Sequence, residues 1–202
     1  LAGQAAIAMH VWLSRRERLR SPDRMVIDLD PSGAGFDVVR RAAADARDLL
    51  TALGLKPFLM ATGSSGLHVT VPLDRRADTG AVRAFAENAA LVLSRRQPEL
   101  YTTEFSKAER KGRLYLDVAR NGYAQTVIAP YSVRARPGAP VAVPLTWDEF
   151  DEPGLRPDGW TIHTIGGRLE EHGDPWAGIS RNGRGLNEPA RKLADLLTSE
   201  SV

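Results

Sequence analysis

The chain has 202 residues, 43% of them hydrophobic, which is enough for one domain with a substantial core. It contains no cysteine, which excludes disulfides and thiolate metal sites and fits a reducing cytoplasm, and no apolar run reaches the length of a membrane span. Its 27 basic and 25 acidic residues nearly cancel, so anionic partners must be sought in where the arginines stand rather than in the total charge.

Residues 2–13 read as a helix of mostly small side chains, carrying His10 near its end and running into the basic stretch Ser14-Arg15-Arg16-Glu17-Arg18. A chain that opens inside an apolar helix, with no cap before Leu1, is expected to be a piece of something larger. Next comes Met25-Val26-Ile27-Asp28-Leu29-Asp30-Pro31, an apolar run that ends in two alternating acids. As a β-strand it projects Asp28 and Asp30 to one face and Ile27 and Leu29 to the other. Two carboxylates that close repel each other, and a hard divalent cation relieves the conflict. Two solvated acids at a strand end leave the same trace, so the pair alone keeps both readings open. Residues 31–35 form a turn by composition. Over 36–53, Phe36, Val39, Ala43, Ala46, Leu50 and Leu53 recur at three- and four-residue steps, which predicts a helix stopped by Gly54.

Residues 57–61 and 67–71 read as strands joined by Thr62-Gly63-Ser64-Ser65-Gly66. The hydroxyls and amides of that loop suit a phosphate, and they equally suit a plain turn. His68 sits between the apolar Leu67 and Val69, so it faces away from the core side. A second helix is expected over 79–94. Residues 101–104 and 113–118 then read as paired strands around a basic loop in which Lys107, Arg110, Lys111 and Arg113 form either a solvated hairpin tip or a contact to nucleic-acid phosphate. With no aromatic interleaved among them, base stacking is not expected there. Asp117 is the third acid at the end of a β-run. A short strand follows at 126–129, then an irregular Pro/Gly/Arg-rich connection over 133–144, where Arg134 and Arg136 could grip phosphate or merely solubilise the surface. A turn of helix at 147–150 and helices at 162–172 and 186–197 complete the chain. This is not a clean βαβ repeat, so the expected class is α+β, with mixed, largely antiparallel central sheets and flanking helices.

Taken in order, Asp28-Leu29-Asp30-Pro31, Thr62-Gly63-Ser64-Ser65-Gly66-Leu67-His68, Leu116-Asp117 and Ala129-Pro130-Tyr131-Ser132-Val133-Arg134-Ala135-Arg136 resemble one motif set. It is that of the primase-polymerase domain of bacterial ligase D and its stand-alone relatives, in the archaeo-eukaryotic primase superfamily. The resemblance runs from about residue 10 to residue 176. It implies that 1–202 is an RRM-like catalytic core lacking the family's N-terminal segment, which supplies template 5′-phosphate contacts and aromatics that stack on the templating base.

The resemblance further implies that Asp28, Asp30 and Asp117 are catalytic and bind two divalent ions, Mn²⁺ or Mg²⁺. His10, Thr62, Ser64, Ser65, His68 and Arg134 would bind the nucleotide, and Lys107, Arg110, Lys111 and Arg113 the DNA, with Asn121 and Gln125 as further polar contacts. The implied activity is addition of NTPs or dNTPs, ribonucleotides preferred, to a primer 3′-hydroxyl at gaps or broken ends during non-homologous end joining. A gapped or broken primer-template, a Ku-like end-binding protein and a DNA ligase are the implied partners, in a bacterial cytoplasm at the nucleoid. The family's second motif usually reads Ser-Gly-x-Lys/Arg-Gly-x-His. Here Thr62 keeps the hydroxyl, whereas Ser65 removes a phosphate-facing charge. Two other readings stand beside this one: a degenerate nucleic-acid or nucleotide-binding scaffold without activity, and a phosphatase built on Asp28 and Asp30 with Ser32 as the following hydroxyl.

Overall fold

The computed structural model describes residues 6–31, 33 and 35–199. Its elements in chain order are β1 (His10–Trp12), β2 (Arg24–Asp30), α1 (Phe36–Ala52), β3 (Phe58–Ala61), β4 (Leu67–Pro72), α2 (Thr79–Arg96), β5 (Tyr101–Thr102), β6 (Leu114–Asp117), β7 (Thr126–Ile128), β8 (Val143–Leu145), α3 (Trp147–Asp151), α4 (Ile165–His172) and α5 (Asn187–Ser199). Six strands form a mixed sheet in the order β5-β6-β2-β4-β3-β8, and β1 pairs with β7 in a separate two-stranded sheet.

Alternation along the strands divides the six-stranded sheet into two unlike faces. Ile27 and Leu29 of β2, Leu67 and Val69 of β4 and Leu114 and Leu116 of β6 turn to one side. There they meet Val39, Ala43, Ala46 and Leu50 of α1 and Val82, Phe85, Ala89 and Leu93 of α2 in the main core. Ile27 and Leu29 are completely buried, and each contributes about 1.5–3 kcal/mol through that burial. α1 stops at Gly54, whose φ of +88° suits glycine. α2 starts where Asp78 accepts the Ala81 amide at 2.8 Å.

The opposite face is covered only in part. Leu13 and Val127 pack on Val26, while Ile128, Ala142 and Trp176 pack on Met60. The small β1–β7 sheet thereby lies over the second face next to Val26, two residues before Asp28. Beyond it the second face opens, and Asp28, Asp30, His68 and Asp117 stand there.

Four expectations change. Residues 2–5 of the anticipated first helix lie outside the described residues, as do Ser32 and Ala34 of the 31–35 turn. Over 6–13 the chain is not helical, and His10 sits on β1, paired with Ile128. Small side chains favour a helix locally, but His10-Val11-Trp12 gains a strand partner at 126–128 that only the tertiary fold supplies. The strands around the basic loop are parallel, not a hairpin: Tyr101 pairs with Leu114 and Thr102 with Tyr115 in the same direction. The 133–144 connection folds back on itself through the Val133–Val141 bridge and leads into the unforeseen β8. Pro144 is tolerated there because β8 is an edge strand. Finally, α4 begins at Ile165 rather than at residue 162.

Candidate functional site

β2 lies between two antiparallel neighbours, and its register aligns the site. Asp28 is opposite His68 of β4 on one side and opposite Asp117 of β6 on the other. Residues directly opposite in antiparallel strands share a face, with Cβ atoms about 4.5–5.5 Å apart. His68, Asp28 and Asp117 therefore form a row across three strands, and Asp30 shares their face one step along β2. His68 Nε2 lies 3.4 Å from Asp28 Oδ1. The ring is 4% exposed, and its Nδ1 is buried with no hydrogen-bond partner among the described residues.

Burial by itself would push the Asp28 carboxyl up. His68, by charge and by hydrogen bonding, and then the Arg120 and Arg134 guanidiniums outweigh it, holding Asp28 below the ordinary carboxylate range. Asp30 accepts the Ser65 hydroxyl at 2.7 Å. Asp117 Oδ1 accepts the Ala119 amide at 2.9 Å and so fixes the short 3₁₀ turn Ala119–Asn121 that carries Arg120.

A cleft of about 500 Å³ opens over this face. Asp28, Asp30, His68 and Arg120 border it on one side, His10, Thr126 and Ile128 on another, and Thr62, Ser64, Ser65 and Arg134 close it. Asp117 is not among its lining residues but stands beside Asp28 as its cross-strand neighbour. Three carboxylates on one sheet face make a hard oxygen donor set that suits Mg²⁺ or Mn²⁺. Among the described residues, however, no three acidic or histidine side chains are gathered closely enough to hold an ion as they stand.

The 62–66 loop owes its shape to two glycines. Gly63 has φ +67°, and a Cβ there would lie 2.7 Å from the Val141 carbonyl carbon. Gly66 presses against the Leu29 carbonyl, where no side chain fits. The Thr62 hydroxyl donates to the Gly66 carbonyl at 3.0 Å, so it closes the loop as well as lining the cleft. Ser64 and Ser65 bring their hydroxyls to within 3.5 Å of each other.

The basic loop divides its four cations between two tasks. Arg110 is buried, lies 4.2 Å from the Tyr115 ring centroid and donates to the Glu104 and Phe105 carbonyls. Arg113 donates to the carbonyls of Arg110, Pro98 and Glu109. These two arginines brace the loop, while Lys107 and Lys111 are exposed on it. Phe105, immediately before the loop, is 78% exposed, an aromatic that the sequence reading left out of account.

Two further residues take different places from those expected. Asn121 is not a polar contact of the cleft. It is buried, accepting the Val26 amide at 2.9 Å and donating to the carbonyls of Val26 (2.7 Å) and Val118 (2.8 Å). Gln125 is exposed and does not line the cleft. Arg120, in contrast, lines the cleft and acts on Asp28 but was not singled out. Its signal in sequence is only its position three residues after Asp117, since its direction depends on the turn that Asp117 caps.

Residues 1–176 match the family described as "LigD, primase-polymerase domain". The chain is 36% identical over 176 residues to the multifunctional non-homologous end joining protein LigD of Pseudomonas aeruginosa, covering 85% of this chain and 21% of that protein. Over 203 residues it is 32% identical to the bifunctional non-homologous end joining protein LigD of Bacillus subtilis, covering 100% of this chain and 33% of that one. It thus spans about a fifth to a third of the length of these curated relatives. Among solved structures, the polymerase domain from Mycobacterium tuberculosis ligase D in complex with DNA superposes with a TM-score of 0.79 at 32% identity, over 90% of this chain and 66% of that one. No helix among the described residues is long and apolar enough to cross a membrane.

Proposed function

The chain belongs to the LigD primase-polymerase domain family, and on that footing we propose that it adds NTPs or dNTPs to the 3′-hydroxyl of a primer on gapped or broken-ended DNA, as part of end joining. The observation that carries the reading is the row His68–Asp28–Asp117 across β4, β2 and β6, with Asp30 on the same face and cationic side chains around one cleft. Asp28, Asp30 and Asp117 are the residues that would hold two divalent ions, Mn²⁺ or Mg²⁺, which when bound acidify the attacking hydroxyl and neutralise charge on the triphosphate.

The chain's own residues prepare that chemistry. His68, Arg120 and Arg134 keep Asp28 ionised despite its burial, so the carboxylate is ready for a cation without first losing a proton. Ser65 aims Asp30 by its hydrogen bond. His10, Thr62, Ser64, Ser65 and Arg134 receive the triphosphate, with the guanidinium of Arg134 as its fixed cation. Arg120 faces the same space and adds a second guanidinium to it. Lys107 and Lys111 reach toward the DNA backbone from a loop that Arg110 and Arg113 hold in shape. A Ku-like end-binding protein, a DNA ligase and a place at the bacterial nucleoid belong to the same proposal.

Primer extension with Mn²⁺ and labelled NTPs tests it. Asp28→Ala and Asp117→Ala should fold, by circular dichroism, and lose extension to background. A folded variant of either kind that still extends the primer refutes the assignment. DNA binding indifferent to Mn²⁺, with no incorporation by the unaltered protein, would favour the scaffold instead.

A further inference from the structure

The basic stretch after β1 has no part in the cleft described above. Residues 14–22 form a loop closed at its neck by the Ser14–Pro22 bridge and by the Asp23 amide, which donates to the Leu13 carbonyl at 2.9 Å. Arg15 and Arg24 share the carboxylate of Asp23. Arg16, Arg18 and Arg20 are different: all three are exposed, and none has a carboxylate within 4.0 Å among the described residues. Glu17 is the loop's single acid, so positive charge dominates.

Two aromatic rings stand open beside this loop. Trp12 is 37% exposed and Tyr123 48%; they meet edge to face at 5.7 Å, and the Arg20 guanidinium lies 5.1 Å from the Tyr123 ring centroid. His10 and Trp12 are two residues apart on β1 and share a face. His10 lines the cleft, and so does Thr126, the partner of Trp12 across the β1–β7 pair. The rings therefore continue one wall of the cleft toward the arginine loop.

We propose that Trp12, Tyr123 and the Arg16/Arg18/Arg20 loop form a track for an unpaired DNA strand leading into the cleft. The destination of the strand rests on the polymerase reading, whereas the track itself rests on these side chains. Guanidiniums without carboxylate partners match phosphates spaced along a flexible backbone. Open aromatic faces match bases of any identity, because every base offers a π-face. An acidic peptide would engage the arginines but leave the two rings without a purpose, and a rigid duplex would hide its base faces from them.

The full chain in metal-free buffer is titrated with fluorescein-labelled oligo(dT) and with a blunt hairpin duplex, reading anisotropy and tryptophan emission. Of the four tryptophans Trp12 alone is exposed, so oligo(dT) should quench emission and the duplex should not. Trp12→Ala should weaken oligo(dT) binding at least about fivefold, and Trp12→Phe, which keeps a ring, should restore most of it while abolishing the quench. The triple variant Arg16→Gln/Arg18→Gln/Arg20→Gln should lower affinity and flatten its salt dependence. Equal losses for duplex and single strand, with no effect of Trp12→Ala in a protein of unchanged melting temperature, overturn the track. Primer extension by the unaltered protein is measured alongside. Extension with no Trp12 effect removes the track and leaves the polymerase reading standing; the reverse pattern removes the polymerase reading and keeps the track.

Discussion

Asn121→Ala should cost the protein about 2–4 kcal/mol of stability. β6 ends at Asp117, so on that side β2 has no ladder partner at Val26. The Asn121 side-chain amide takes the place of the missing strand, pairing with both the amide and the carbonyl of Val26 at 2.9 and 2.7 Å. The residue is only 2% exposed, so truncation strands both groups away from water. The Val118 carbonyl loses one partner but keeps the Asn121 amide at 3.1 Å. Two orphaned backbone groups at about 1–3 kcal/mol each, eased by water entering the vacated space, give the stated range. For a domain of this size, about 2–4 °C of melting temperature per kcal/mol makes the fall roughly 4–16 °C. Urea unfolding followed by circular dichroism should show a lower midpoint at unchanged slope. Asn121→Asp, which keeps an acceptor for the Val26 amide but loses the donor, should be nearly as damaging. A loss below about 0.5 kcal/mol would refute the strut; so would weakened nucleotide binding at unchanged stability, because that is what a cleft contact would produce.

Alkaline pH tests the two phenols that donate to carboxylates. Tyr101 and Tyr131 are pushed above the ordinary tyrosine range, first by burial and then by the hydrogen bonds each donates to a carboxylate, Asp45 at 2.7 Å and Asp174 at 2.6 Å. The folded state therefore holds these protons more tightly than the unfolded chain, so their contribution is intact below about pH 10 and is lost as pH rises beyond it. Tyr101→Phe should cost about 1 kcal/mol at neutral pH yet make the decline above pH 10 shallower in urea titrations; parallel declines would sink the argument. Gly66→Ala should lose about 2–3 kcal/mol or more, because the added methyl meets the Leu29 backbone where β2 and β4 pair, and rigid backbone cannot yield. Gly35→Ala, with nothing within 4 Å of the added carbon, is the matched control in a thermal melt, and equal melting temperatures for the two would refute the packing argument.

The parts of this molecule that were legible in its sequence are those fixed by short-range periodicity. Alternation in β2 and β4 placed Asp28, Asp30 and His68 on the face opposite Ile27, Leu29 and Val69, and helix spacing gave α1 and α2. What was lost depended on partners distant in the chain. β1 is a strand because of residues 126–128, and β8 because of β3. Arg110 looked like a surface cation because nothing local shows that the Glu104 and Phe105 carbonyls and the Tyr115 ring converge on it. Asn121 looked like a ligand contact for the same reason, since the gap it fills exists only where β6 stops short of β2's full length. Charge alone is therefore a poor guide to which arginines serve a ligand. The useful separation is between guanidiniums spent on the protein's own acceptors, such as Arg110 and Arg113, and those that have no carboxylate partner among the described residues, such as Arg16, Arg18 and Arg20. A guanidinium with no carboxylate beside it keeps its charge for a phosphate, and that is the physical ground for assigning the DNA to the second group rather than the first.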